Sequence, residues 1–156
     1  MKKWLLGLTA LLCCLLLAGC GGGEDTSGQP DLGEVRTNVA ALTYEGEALF
    51  PGLQEPGEKE LQDLYGIDAS LFSEYVIGVS DQGVYLVVVP KEGEENAVKN
   101  AIASAMSDLG EQNALYNPEQ TALLENRMET IRGSALIYIA SRDNAAVLDA
   151  IDSAGQ

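Results

Sequence analysis

The sequence predicts an α+β fold: a single domain in which two β-hairpins form a roughly four-stranded, mainly antiparallel sheet packed with about five helices. Three observations predict it. The runs Val84–Val89 (VYLVVV) and Ala135–Ala140 (ALIYIA) carry no charge and are apolar on both faces, as strands covered on both sides are. Each follows a turn and a more polar extended stretch, and hairpin pairing makes the strands antiparallel. The segments around these pairs place apolar residues at helical spacing. The two doubly apolar strands are expected at the sheet centre with their half-polar partners outside, so both faces of the sheet need helices.

The elements follow in order. In Asp31–Leu42 (DLGEVRTNVAAL), Leu32, Val35, Val39 and Leu42 recur as on one face of a helix. Glu58–Tyr65 is a second, short helix with Leu61, Leu64 and Tyr65 on one side. Gly66 is suited to end it, because glycine adopts the left-handed conformation past a helix end without steric cost. Asp68 stands where an N-cap belongs, with Ala69–Phe72 as a further turn. Glu74–Ser80 alternates Tyr75, Ile77 and Val79 on one face. Asp81-Gln82-Gly83 then reads as a three-residue hairpin connection, and Pro90 ends the returning strand. Glu94–Leu109 places Ala97, Val98, Ala101, Ile102, Ala105, Met106 and Leu109 on one stripe, and Gly110 is expected to close it. Asn117-Pro118-Glu119-Gln120 opens another helix, with Asn117 as cap, Pro118 at the first helical position and Gln120 reaching back to the cap. Met128–Arg132 is a half-polar edge strand, and Gly133-Ser134 is a two-residue turn. Asp143 caps a last helix, Asn144–Ala154, which buries Val147, Leu148 and Ile151.

Ahead of this domain lies a different kind of segment. Lys2 and Lys3 precede 15 uncharged residues, Trp4–Ala18. A bilayer-spanning helix needs about 20, so the run fits the apolar core of a secretory signal peptide. It ends in Leu17-Ala18-Gly19-Cys20, which resembles a bacterial lipobox. That resemblance implies cleavage before Cys20, a diacylglycerol on its sulfur, and a lipid-anchored location on the extracytoplasmic face of the cell membrane. Two acyl chains hold a protein stably where one does not. Residues 1–19 are then the signal peptide and 20–30 a lipidated cysteine with a Gly-rich tether (GGGEDTSG), leaving residues 31–156 as the domain. Cys13 and Cys14 leave with the signal, so the mature chain has no disulfide and depends on its core.

The full chain has 24 acidic and 9 basic residues. Loss of Lys2 and Lys3 leaves 7 against 24, a net charge of −17. Such a surface repels nucleic-acid phosphates and anionic headgroups, which excludes nucleic acid as a partner. It suits solubility and lift from the membrane, or a cationic partner.

The stretches ELQDLYGIDASLFSEYVIGVS and YNPEQTALLENRMETIRGSALIYIAS resemble the domain of unknown function 4358. The telling residues are Tyr65-Gly66-Ile67-Asp68, Tyr116 with Pro118-Glu119-Gln120, and Gly133, and the resemblance spans Asp31 to Asp143. It implies a small lipoprotein, mostly of Gram-positive bacteria, and brings no activity and no functional residues. The long helix departs from it in being rich in alanine and serine rather than charge.

No catalytic or cofactor signature stands out. The chain has no histidine, the commonest general base and transition-metal ligand. Neither G-x-S-x-G nor S-x-x-K occurs. The clusters Glu92/Glu94/Glu95 and Glu55/Glu58/Glu60 lack the alternating pattern and glycine of a calcium loop, so no metal or other cofactor is expected. Tyr65, Asp68 and Tyr116 are the candidates for a partner-facing patch. Against that stands a plainer expectation, that the tyrosines pack in the core and Asp68 only caps. The function expected is a non-catalytic interaction module at the cell envelope, docking an envelope protein or ligand. The alternative is a small-molecule or ion-binding accessory lipoprotein related to transport. A deep apolar pocket with convergent polar groups favours the alternative; an exposed apolar patch or free sheet edge favours the module.

Overall fold

A computed structural model describes residues 28–156; the signal, Cys20 and most of the tether lie outside the described residues. The chain runs α1 (Leu32–Ala40), β1 (Thr43–Tyr44), β2 (Glu47–Ala48), α2 (Glu58–Tyr65), a 3-10 turn (Ala69–Leu71), β3 (Phe72–Ser80), β4 (Gly83–Pro90), α3 (Glu95–Asn113), α4 (Pro118–Glu125), β5 (Met128–Arg132), β6 (Ala135–Ala140) and α5 (Asn144–Asp152). The fold is α+β, with a small two-stranded sheet and a main antiparallel sheet of order β3-β4-β6-β5. The doubly apolar strands β4 and β6 occupy the centre and the half-polar β5 an edge, as the sequence predicts.

The two-residue period of the strands divides the core into two layers. Val84, Leu86 and Val88 of β4 point one way with Leu136, Tyr138 and Ala140 of β6. Leu61 of α2, Val98, Ile102 and Met106 of α3, and Leu124 of α4 cover this face. Tyr85, Val87, Val89, Ile137 and Ile139 point the other way, under Val35 and Val39 of α1 and Val147 and Ile151 of α5. A fully buried aliphatic side chain contributes about 1.5–3 kcal/mol, so these layers supply the stability of the described residues, which include no cysteine.

The caps follow local chemistry. Asp31, Asn117 and Asp143 accept backbone N–H bonds from Glu34, Gln120 and Ala146 at 2.9, 3.1 and 3.0 Å. Gly66 ends α2 at φ +66°, where a Cβ would be strained. Gly133 opens the β5–β6 turn at φ +57°.

Several boundaries differ from expectation. β3 starts at Phe72, two residues early, because a bulge between Phe72 and Glu74 lets Phe72 pair with Pro90. The β3–β4 connection has two residues, not three. Gly83 pairs with Ser80, and the Ser80 hydroxyl accepts from Gln82 N–H at 3.1 Å and donates to Gly83 O at 3.3 Å. Gly110 does not close α3, which continues to Asn113; nothing crowds the helix there. Ala97, expected on the apolar stripe, faces solvent. The Gln120 side chain does not reach back to the cap; its Nε2 donates to the Ser80 carbonyl at 2.9 Å in a buried site. α1 and α5 are shorter than their predicted spans, and Leu148 is only half-buried. The β1–β2 hairpin, turning through Glu45 and Gly46 at positive φ, falls where the sequence suggested no element.

Candidate interaction surface

A helix turns roughly 100° per residue. On α2, Leu61 and Tyr65 therefore point within about 40° of each other, while Leu64 stands about 100° away from Tyr65. Only the first pair leans on the core: Leu61 is buried and Tyr65 half-buried, whereas Leu64 is 65% exposed. That departs from the single buried side expected of the three. Leu64, Tyr65, Ala105, Asp108, Leu109 and Gln112 line a surface groove of ≈ 340 Å³ between α2 and α3. A narrow apolar cleft of ≈ 20 Å³ shares Tyr65, Ala105 and Leu109 with it and is also lined by Ile77, Val84 and Met106. Burial pushes the Tyr65 phenol above its ordinary value, and the nearby Glu60 carboxylate adds to the shift.

The end of α3 exposes more apolar surface. Past Asn113 the chain turns tightly, with the N–H groups of Tyr116 and Asn117 both donating to Asn113 O. The turn throws Leu115 and Tyr116 outward, 86% and 88% exposed. The core role expected for Tyr116 is thus corrected: the turn after α3 leaves it 88% exposed, with nothing among the described residues packed over it. From the sequence, Leu64 is expected on the inward side of its helix and Leu115 is not singled out, because periodicity reports which stripe faces inward and not how far a short helix rolls.

Asp68 acts as a cap. Its Oδ1 accepts from Ser70 N–H at 2.8 Å; hydrogen bonding from the Ser70 side chain, then from that N–H, with Lys91 adding a little, holds its carboxyl below the usual range. It lies beside Lys91 and Tyr75 in a separate groove. The three candidates therefore do not converge on one site. Tyr65 belongs to the α2–α3 groove, Asp68 to the start of β3, and Tyr116 to the tip beyond α3.

The acidic clusters have local uses. Glu55 accepts from Arg36 Nε at 2.7 Å, Glu60 from Gly57 N–H at 2.9 Å, and Glu95 from Lys99 at 2.6 Å. Among the described residues no three potential ligands are grouped to hold a metal ion, and no helix is long and apolar enough to cross a membrane. One buried polar atom stands apart: the Tyr85 hydroxyl finds no hydrogen-bond partner among the described residues, and burial pushes its pKa up to about 12.

The domain has two distinct ends. Gln29 Oε1 accepts from the Ser134 hydroxyl at 2.7 Å, so the tether meets the domain at the β5–β6 turn. Val84 pairs with Ala140 and Val88 with Leu136, which puts the β3–β4 turn at the opposite end of the sheet. Asn117 Nδ2 donates to Asp81 O in that turn at 2.9 Å and fixes the Leu115–Tyr116 tip beside it. The exposed apolar tip and the tether thus lie at opposite ends.

No curated protein and no solved structure matches the chain. The family model of a domain of unknown function, DUF4358, matches residues 50–141. The match runs from Phe50 to Ser141 and takes in α2 through β6, leaving α1 and α5 outside; it is shorter at both ends than the resemblance read from the sequence. Covering more than half of the chain, it establishes that the protein belongs to the DUF4358 family.

Proposed function

We propose that the protein is a lipoprotein of the Gram-positive type, anchored through a diacylated Cys20 on the extracytoplasmic face of the cell membrane, and that its domain is a non-catalytic interaction module. The observation that carries the placement is the leader: Lys2-Lys3, 15 uncharged residues, then Leu-Ala-Gly-Cys and three glycines. The adjacent exposed pair Leu115 and Tyr116, and Leu64 at the α2–α3 groove, support the module reading, since apolar surface left uncovered is where partners dock. The grooves of small-molecule size, such as the ≈ 340 Å³ groove between α2 and α3, are open to solvent, and the apolar cleft beside it measures only ≈ 20 Å³, so a deep apolar pocket of the kind the transport-accessory alternative calls for is not what supports a function here.

Intact mass spectrometry of the native product tests the anchor. The expected species begins at Cys20 and carries the added mass of a diacylglycerol, and Cys20→Ala shifts the protein out of the membrane fraction. A free thiol at Cys20, or wild-type protein in the cytosol, overturns the placement.

A further inference from the structure

We propose that the groove between α2 and α3 docks a cationic amphipathic helix of a partner protein. The inference rests on reading the domain as an interaction module, and it names the surface and the partner chemistry. The groove floor is apolar, with Leu64, Tyr65, Ala105 and Leu109, and its rim carries Asp108 and Gln112. An amphipathic helix fits such a floor by laying side chains spaced three and four residues apart into it.

Charge selects the occupant. Among the described residues, the one charged residue lining the groove is Asp108, and no lysine or arginine lines it or occurs from residue 100 to residue 126. Neither α2 nor α3 has a basic residue in its last turn. The carbonyl ends of both helices, which attract cations, are therefore left without a cationic side chain of their own. A partner presenting lysine or arginine beside its apolar stripe complements Asp108 and these helix ends. A second copy would bring the same acidic face. A membrane surface is disfavoured by charge, because the acidic face repels anionic headgroups. The 19-residue α3, about 28 Å long, ends beside the β3–β4 turn, so Leu115 and Tyr116 sit at the end of the sheet opposite Gln29.

The test uses the native lipidated product in zwitterionic nanodiscs, with empty nanodiscs as blank. The probe is a fluorescent 18-residue helix of leucine and lysine, and the control probe replaces each lysine by glutamate. The lysine helix is expected to bind and the glutamate helix not to. Leu64→Lys and Asp108→Lys, both at the groove and built to repel the lysine helix, should each weaken binding at least about tenfold, since like charges juxtaposed across an interface cost several kcal/mol. Glu47→Lys makes a comparable charge change in the β1–β2 hairpin and should alter binding less than about twofold. Equal weakening by all three variants, equal binding by all, or no binding of the lysine helix overturns the inference. A correctly lipidated chain that fails this titration sinks the groove alone. An unlipidated or cytosolic chain sinks the anchor and leaves the titration readable.

Discussion

Gly78 lies opposite Tyr85 across the β3–β4 pair, and the absence of a side chain there makes room for the ring. A Cβ at position 78 would fall 2.2 Å from Tyr85 Cε1, 2.8 Å from Tyr85 Cζ and 2.8 Å from Leu53 Cδ1. Carbon atoms prefer about 3.5–4.0 Å, so the ring would have to retreat by more than about 1 Å. It has little space to do so: Tyr85 is 0% exposed and its ring packs against Phe50 at a centroid distance of 5.5 Å. Overpacking a core costs about 1–3 kcal/mol, and an overlap this deep belongs at the upper end. Against it, alanine restricts the unfolded chain and returns about 0.4–1 kcal/mol. Gly78→Ala should therefore destabilise by about 2 kcal/mol. Urea unfolding followed by far-ultraviolet circular dichroism measures it; with a slope of about 1–3 kcal/mol/M, the midpoint should fall by about 1 M with the slope unchanged. Tyr85→Leu removes the ring atoms in conflict, so the double variant should lose at least about 1 kcal/mol less than the two single losses added. A Gly78→Ala protein as stable as wild type, or strictly additive losses, would refute steric accommodation of Tyr85 as the reason for glycine there.

Three further outcomes are expected. Gly110→Ala, in the interior of α3 with nothing within 4 Å of the new methyl, should stabilise by about 0.5–1 kcal/mol in the same assay; a loss would mean that the helix ends there after all. Tyr85→Phe removes a buried hydroxyl without a partner among the described residues and should leave neutral-pH stability equal or up to about 1 kcal/mol higher. The Tyr85 phenol is raised from 10.0 to about 12 in the fold, so the unfolded chain ionises first and wild-type stability should fall between pH 10 and 12 by up to about 3 kcal/mol more than in the Phe variant. Parallel pH profiles of the two proteins would count against that burial. Gln120→Ala deprives the Ser80 carbonyl of its buried donor and should cost about 1–3 kcal/mol, with amide exchange rising first in α4 and the β3–β4 turn; unchanged exchange there would show that the bond is not holding α4 to the hairpin.

Much of the scaffold was legible because its determinants are local or periodic. Asp31, Asn117 and Asp143 cap because an acceptor side chain satisfies N–H groups only a few residues away. Gly66 and Gly133 end and turn the chain through their own φ angles. VYLVVV and ALIYIA declared their central places because a strand without a polar face has to be covered twice. The bulge at Phe72–Glu74 and the bond from Gln120 to Ser80 were hidden, because both are set by the partner strand or helix across space.

The sequence by itself determined the class of fold, the order of most of its elements, the acidic charge and the uncharged run that ends in Leu-Ala-Gly-Cys at Cys20. Only the tertiary structure decided that Leu64, Leu115 and Tyr116 face outward, that Tyr65, Asp68 and Tyr116 are separated, and that the apolar tip and the tether occupy opposite ends. Capping, turning and patterning are governed by neighbours along the chain. The roll of a short helix and the direction of a turn depend on what packs against them from far away in sequence.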